Sequence, residues 1–181
     1  NTTHVLLRMR CLLFLALCCT LHAAQPNFVF ILADDLGYAD VGYQGGEIQT
    51  PHLDQLAGRG AKLEAFYGMP VCTPSRSALM TGRYPIRYGR QYNVLRPNSK
   101  VGLALGEKLL PQLLRDAGYA TTQIGKWHLG DFDAAYWPTR RGFDHSYGVR
   151  LDQHRQHQHL ITSENALQRD EQPVKDTGSL T

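Results

Sequence analysis

At 181 residues, 43% hydrophobic and 19% charged, the chain has the composition of one ordinary globular domain, neither disordered nor fibrous. Its formal charge of +3 includes Arg8 and Arg10, which lie in a leader without acids. Setting them aside leaves 17 basic against 16 acidic residues. That near-balance offers no electrostatic footprint for a nucleic acid.

Arg8 and Arg10 precede the apolar run Cys11 to Cys19, and small residues follow at Ala23 and Ala24. A basic n-region, a short apolar h-region and a small-residue exit predict a secretory signal peptide over residues 1–24, with Met9 a natural start. The run is too short to span a bilayer as a helix, so no membrane span is expected after its removal. Lysosomal, extracellular, endoplasmic-reticulum and periplasmic destinations all fit such a leader.

The first element of the mature chain is Asn27-Phe28-Val29-Phe30-Ile31-Leu32, an almost continuous apolar run that predicts a strand buried on both faces of a parallel sheet. Asp34 and Asp35 follow at its carboxyl end, the edge where open α/β sheets bind ligands. Thr50-Pro51 reads as an N-cap with proline at the first helical position. Leu53, Leu56 and Ala57 form an apolar face, and Gly58 or Gly60 is the stop. Lys62 to Tyr67 alternates like a strand. Pro74 suits the first turn of a helix running to about Thr81 before Gly82, which puts Cys72 at or just before a helix N-terminus.

A third helix is expected from about Leu109 to Ala117, with Pro111 in its first turn and Gly118 as its stop. Ala120 to Ile124 reads as the next strand, leading into Gly125-Lys126-Trp127-His128. Strands alternating with helices of this length predict a doubly wound α/β fold with a mainly parallel sheet. Beyond Gly148 the pattern weakens. His154, His157 and His159 lie in a stretch read as a solvated polar loop rather than a metal site, because no cage of Cys, Asp or Glu accompanies them.

Three clusters carry chemistry. Asp34-Asp35 offers hard oxygen ligands suited to Ca²⁺ or, less well, Mg²⁺, but both carboxylates can meet one ion only if the chain turns there; otherwise the pair is a solvated turn or cap. Cys72 is the one cysteine outside the leader. Taken alone, such a thiol reads as a buried bystander. Lys126 and His128, two apart on an extended segment, can face one pocket. There a cation would suit an anionic oxygen and an imidazole could transfer a proton; the alternative is a surface pair.

The string Cys72-Thr73-Pro74-Ser75-Arg76, followed by Thr81-Gly82-Arg83, resembles the C-x-P-S-R and T-G-R signature of the sulfatase family, in which the cysteine is oxidised to formylglycine. Gly118-Tyr119-Ala120-Thr121 through Gly125-Lys126-Trp127-His128 is similar to the family's second signature. The runs Glu107 to Gly118 and Pro138 to Asp144 look most like the arylsulfatase B branch. The matches cover residues 27 to about 148.

The resemblance implies a sheet of the alkaline-phosphatase/sulfatase type and hydrolysis of sulfuric esters, on sulfated small molecules or glycans such as N-acetylgalactosamine 4-sulfate. It implies Asp34 and Asp35 as Ca²⁺ ligands, with formylglycine at Cys72 adding an oxygen and, once hydrated, supplying the hydroxyl that attacks sulfur. It also implies that Arg76 holds the formylglycine hydroxyl, Lys126 the sulfate, and that His128 transfers the proton. A formylglycine-generating enzyme is the implied maturation partner. Family members run to several hundred residues and draw further ligands from later sequence. Residues 25–181 are therefore expected to be the N-terminal part of the catalytic domain, with an incomplete sheet and no activity alone. A phosphonate or phosphate ester hydrolase of the same superfamily and an inactive secreted protein are the alternatives.

Overall fold

The computed structural model describes residues 25–92, 94–96, 99–151 and 167–174. The leader and the histidine-rich stretch lie outside these residues. The chain divides into two compact units, 1–54 and 55–181. Among the described residues no helix is long and apolar enough to cross a membrane.

In the first unit, residues 27–33 are extended but form no strand, and Val29 and Ile31 are 84% and 82% exposed. This departs from the expected buried strand. An apolar run joins a ladder only where neighbouring strands accept from its N–H groups and donate to its C=O groups, and no described strand pairs with it. The chain then folds through 3₁₀ turns at Tyr38–Asp40 and Gly42–Gln44. Asp54 ties these to the helix that follows: its Oδ1 accepts from the Tyr43 N–H at 2.9 Å and the Thr50 hydroxyl at 2.8 Å, while Thr50 Oγ1 accepts the Gly42 N–H. Thr50 thus works at the helix start as expected, though by relaying to Asp54.

Helix α1 spans Pro51–Arg59 and buries none of its residues, so the predicted apolar face of Leu53 and Leu56 is unpacked among the described residues. Lys62 to Tyr67 forms no strand either, and Phe66 and Tyr67 are exposed. Its alternation specifies two faces without supplying a pairing partner.

In the second unit, α2 spans Cys72–Thr81 and ends where Gly82, at φ +63°, returns its N–H to Ala78 O at 2.8 Å. Helix α3 spans Leu110–Asp116 with Pro111 in the first turn. Its end is a Schellman closure: the Tyr119 N–H reaches Leu114 O at 3.0 Å and the Gly118 N–H reaches Arg115 O at 2.9 Å. Strand β1 (Thr122–Lys126) pairs in parallel with β2 (His145–Val149); β3 (Gln168–Arg169) and β4 (Gln172–Pro173) add antiparallel to β2, in the order β1-β2-β3-β4.

Thr121 and Asp144 set the parallel register from just before each strand. The Thr121 N–H and hydroxyl both donate to Asp144 Oδ2, at 2.9 and 3.1 Å, and the Asp144 N–H returns to Thr121 O at 2.9 Å. The crossover between β1 and β2 contains 3₁₀ turns at Ala134–Tyr136 and Pro138–Arg141 and no α-helix. Its inner side closes on the core of Leu103, Leu109, Trp127 and Leu129, with Met80, Tyr88 and Phe143 against it. Trp127 and Phe143 meet edge to face at 6.0 Å. Buried Arg141 fastens this core to a loop by donating to the carbonyls of Leu103, Ala104 and Glu107. Removal from water lowers its pKa, against the pull of Tyr136 and Glu107.

Candidate active site

Cys72 is the first residue of α2, partly buried and in no disulfide. The residue before it, Val71, is extended (φ −141°, ψ 165°) and gives the helix no side-chain cap. The positive end of the helix dipole therefore lies beside the thiol. Pro74, buried within the first turn, fits because a helix start needs no N–H there.

Lys126 ends β1, and His128 lies two residues beyond; both are buried, at 6% and 1% exposure. They arrive at the carboxyl edge of the parallel pair, as the strand reading anticipated. His128 takes the left-handed conformation, φ +61°, uncommon for a residue with a side chain. Such strain persists only where surroundings enforce it. Here the His128 N–H donates to Arg150 O at 2.9 Å, and the Trp127 N–H to Val149 O at 2.9 Å, extending the β1–β2 pairing past the strand ends.

Two links join α2 to this edge. Arg76, one turn into α2, donates from Nη1 to the Lys126 carbonyl. The backbone of Leu95 makes the other: its N–H donates to Thr73 Oγ1 at 3.1 Å, and its carbonyl meets His128 Nε2 at 2.8 Å. A carbonyl oxygen only accepts, so Nε2 carries the proton, and in the neutral ring Nδ1 holds the lone pair. The second unit therefore links Arg76 and Thr73, on the helix that begins at Cys72, to Lys126 and His128 by hydrogen bonds.

Sequence reasoning missed Thr73 and Leu95. It also missed Arg150, whose guanidinium stacks 3.7 Å over the Trp137 ring and lies 3.3 Å from Asp131 Oδ1. Trp137 Nε1 in turn donates to Asp131 O at 2.8 Å. Burial lowers the Arg150 pKa, opposed by Asp131 and Glu171. This cluster braces the segment leaving His128.

Asp34 and Asp35 belong to the first unit. Both are exposed, and Asp35 has φ +57°, so the chain does turn at the pair as a shared ion would require. Their oxygens suit a hard cation, but no group of three or more His, Cys, Asp or Glu able to hold a metal occurs among the described residues.

A family model described as Sulfatase matches residues 26–176. Mouse arylsulfatase J is 50% identical over 132 residues, covering 73% of this chain and 22% of the relative. Human arylsulfatase A is 47% identical over 142 residues, covering 76% of this chain and 28% of the relative. The crystal structure of Ps i-CgsB in complex with k-i-k-neocarrahexaose aligns with TM-score 0.70 and 38% identity, over 80% of this chain and 36% of that one. The chain spans about a quarter of the length of the curated relatives it matches. Its α/β architecture is that of the sulfatases, here seen as a small open mixed sheet. Matching runs from the extended segment before Asp34 to beyond β4, and on that extent the chain belongs to the sulfatase family.

Proposed function

We propose that this protein hydrolyses sulfuric esters, with residues of this chain supplying the nucleophile position, a sulfate-binding cation and a proton-transfer group. The observation that carries the reading is the pair of links from the N-terminal half of α2 to the end of β1 and the residues just beyond it: Arg76 to Lys126 O, and Thr73 through Leu95 to His128. They tie the helix that begins at Cys72 to the backbone of buried Lys126 and to the buried imidazole of His128.

Formylglycine, formed from Cys72 by a formylglycine-generating enzyme, would supply a hydrated aldehyde whose hydroxyl serves as nucleophile. Arg76 fixes the end of β1 and orients the hydroxyl at position 72. Lys126 binds a sulfate oxygen as a point charge in a site largely removed from water, where such an interaction gains strength. His128, with Nε2 committed to the Leu95 carbonyl, exchanges a proton at Nδ1. Asp34 and Asp35 would hold Ca²⁺, which when bound supplies positive charge. The donor type fits that ion, while the ion's usual 6–8 oxygens exceed what the pair can give.

A sulfated glycan is the substrate class we favour, since Ps i-CgsB is crystallised with a carbohydrate hexaose. The leader directs the protein to the secretory pathway. The test is a matched assay of an aryl sulfate and an aryl phosphate with the full-length protein, secreted from a host that converts Cys72, with conversion verified by peptide mass spectrometry. Sulfate turnover that disappears in Cys72→Ala is expected. An unmodified thiol, or faster turnover of the phosphate, would overturn the proposal.

A further inference from the structure

We propose that Thr73 is a positioning residue for His128, acting through the backbone of Leu95 and fixing which ring nitrogen holds the lone pair. Thr73, Leu95 and His128 are 1%, 4% and 1% exposed, so water competes for none of the three groups. The Thr73 hydroxyl accepts the Leu95 N–H at 3.1 Å, which orients the residue whose carbonyl accepts His128 Nε2–H at 2.8 Å.

The alternative tautomer would point a lone pair at a carbonyl oxygen, two acceptors in contact inside a buried site. With Thr73 replaced by a side chain lacking the hydroxyl, the Leu95 N–H stays buried without its acceptor. Relief then comes from rotating that backbone, which withdraws the carbonyl from His128. Thr73 occupies the position that the C-x-P-S-R pattern leaves free, so the motif gives no hint of this duty. The inference rests on the proposed proton-transfer role of His128 for its effect on turnover, but not for its structural content.

The experiment compares wild type, Thr73→Ser, Thr73→Val and Thr73→Ala as ¹⁵N-labelled full chains at a pH near 8, above the ordinary imidazole value of about 6.5. Imidazole ¹⁵N shifts should show His128 as the Nε2–H tautomer in wild type and Thr73→Ser. In Thr73→Val and Thr73→Ala the two tautomers should mix, and the Leu95 amide should exchange about tenfold faster, the loss of one ordinary hydrogen bond. In formylglycine-bearing full-length protein, the same two variants should lower kcat about tenfold with KM within twofold, and Thr73→Ser should restore it. A wild-type Nδ1–H tautomer, or folded Thr73→Val and Thr73→Ala with unchanged tautomer and exchange, would overturn the proposal. Absence of turnover in the wild-type full-length protein would instead count against sulfate ester hydrolysis, and the ¹⁵N comparison on this chain would still decide the role of Thr73.

Discussion

Gly148→Ala tests the seam on which the candidate site is built. Gly148 faces Gly125 in the parallel register, one pair before Lys126 and Val149. A Cβ at Gly148 would lie 1.9 Å from the Gly125 carbonyl oxygen and 2.6 Å from its carbon. Even a close carbon–oxygen contact needs about 3.3 Å, so the strands would have to part by more than an ångström. The obstructing atoms are backbone, which no rotamer change can clear. Overpacking costs about 1–3 kcal/mol, and a backbone clash belongs at the upper end. The φ of +154° at Gly148 is hostile to side chains as well, adding about 1 kcal/mol or more. A total of at least about 3 kcal/mol, at about 2–4 °C per kcal/mol for a chain of this size, lowers Tm by about 6–12 °C. Circular dichroism melts at neutral pH measure it. Gly106→Ala is the control, since a Cβ there meets nothing within 4 Å; its Tm should stay within about 2 °C of wild type. If Gly148→Ala melted like that control, the close approach of β1 and β2 would be refuted.

Acid should weaken the fold through two carboxylates. The Thr121 backbone N–H holds Asp144 below the usual carboxylate range, and Arg140, hydrogen-bonded to Glu171, does the same there. A depressed folded pKa adds stability above the unfolded value near 4 and loses it as pH falls through the lower folded value. Urea midpoints should therefore hold from about pH 8 to 5 and drop below about pH 4, with a shallower drop in Asp144→Asn; equal drops would contradict the Thr121 clamp. Asp35→Ala should weaken Ca²⁺ binding about tenfold or more by calorimetry, and unchanged binding would remove Asp34 and Asp35 from the metal assignment.

Helices α2 and α3 were legible because proline and glycine mark their ends chemically: Pro74 and Gly82 for one, Pro111 and Gly118 for the other. Strand β1 was legible through its β-branched and apolar run, although it begins two residues later than expected. The segments 27–32 and 62–67 misled for one reason. Hydrophobic pattern states which faces want cover but not which strand supplies it, and no described strand pairs with either segment. Cys72, Arg76, Lys126 and His128 were readable as motif positions. What joins them was not, since Leu95 contributes only N–H and C=O, groups every non-proline residue owns. The Arg150–Asp131–Trp137 cluster was hidden because its members come together only when β2 returns alongside β1.

The Leu95 link shifts the constraint on this region from side-chain identity to spacing. Leu95 could become another apolar residue and still offer both backbone groups to Thr73 and His128. A single residue inserted or deleted between Gly82 and Leu95 would move a different peptide into that place, turned the other way. Variation in natural or engineered versions of this stretch should therefore be generous in substitution and strict in length, much as a hinge pin tolerates a change of metal but not of position.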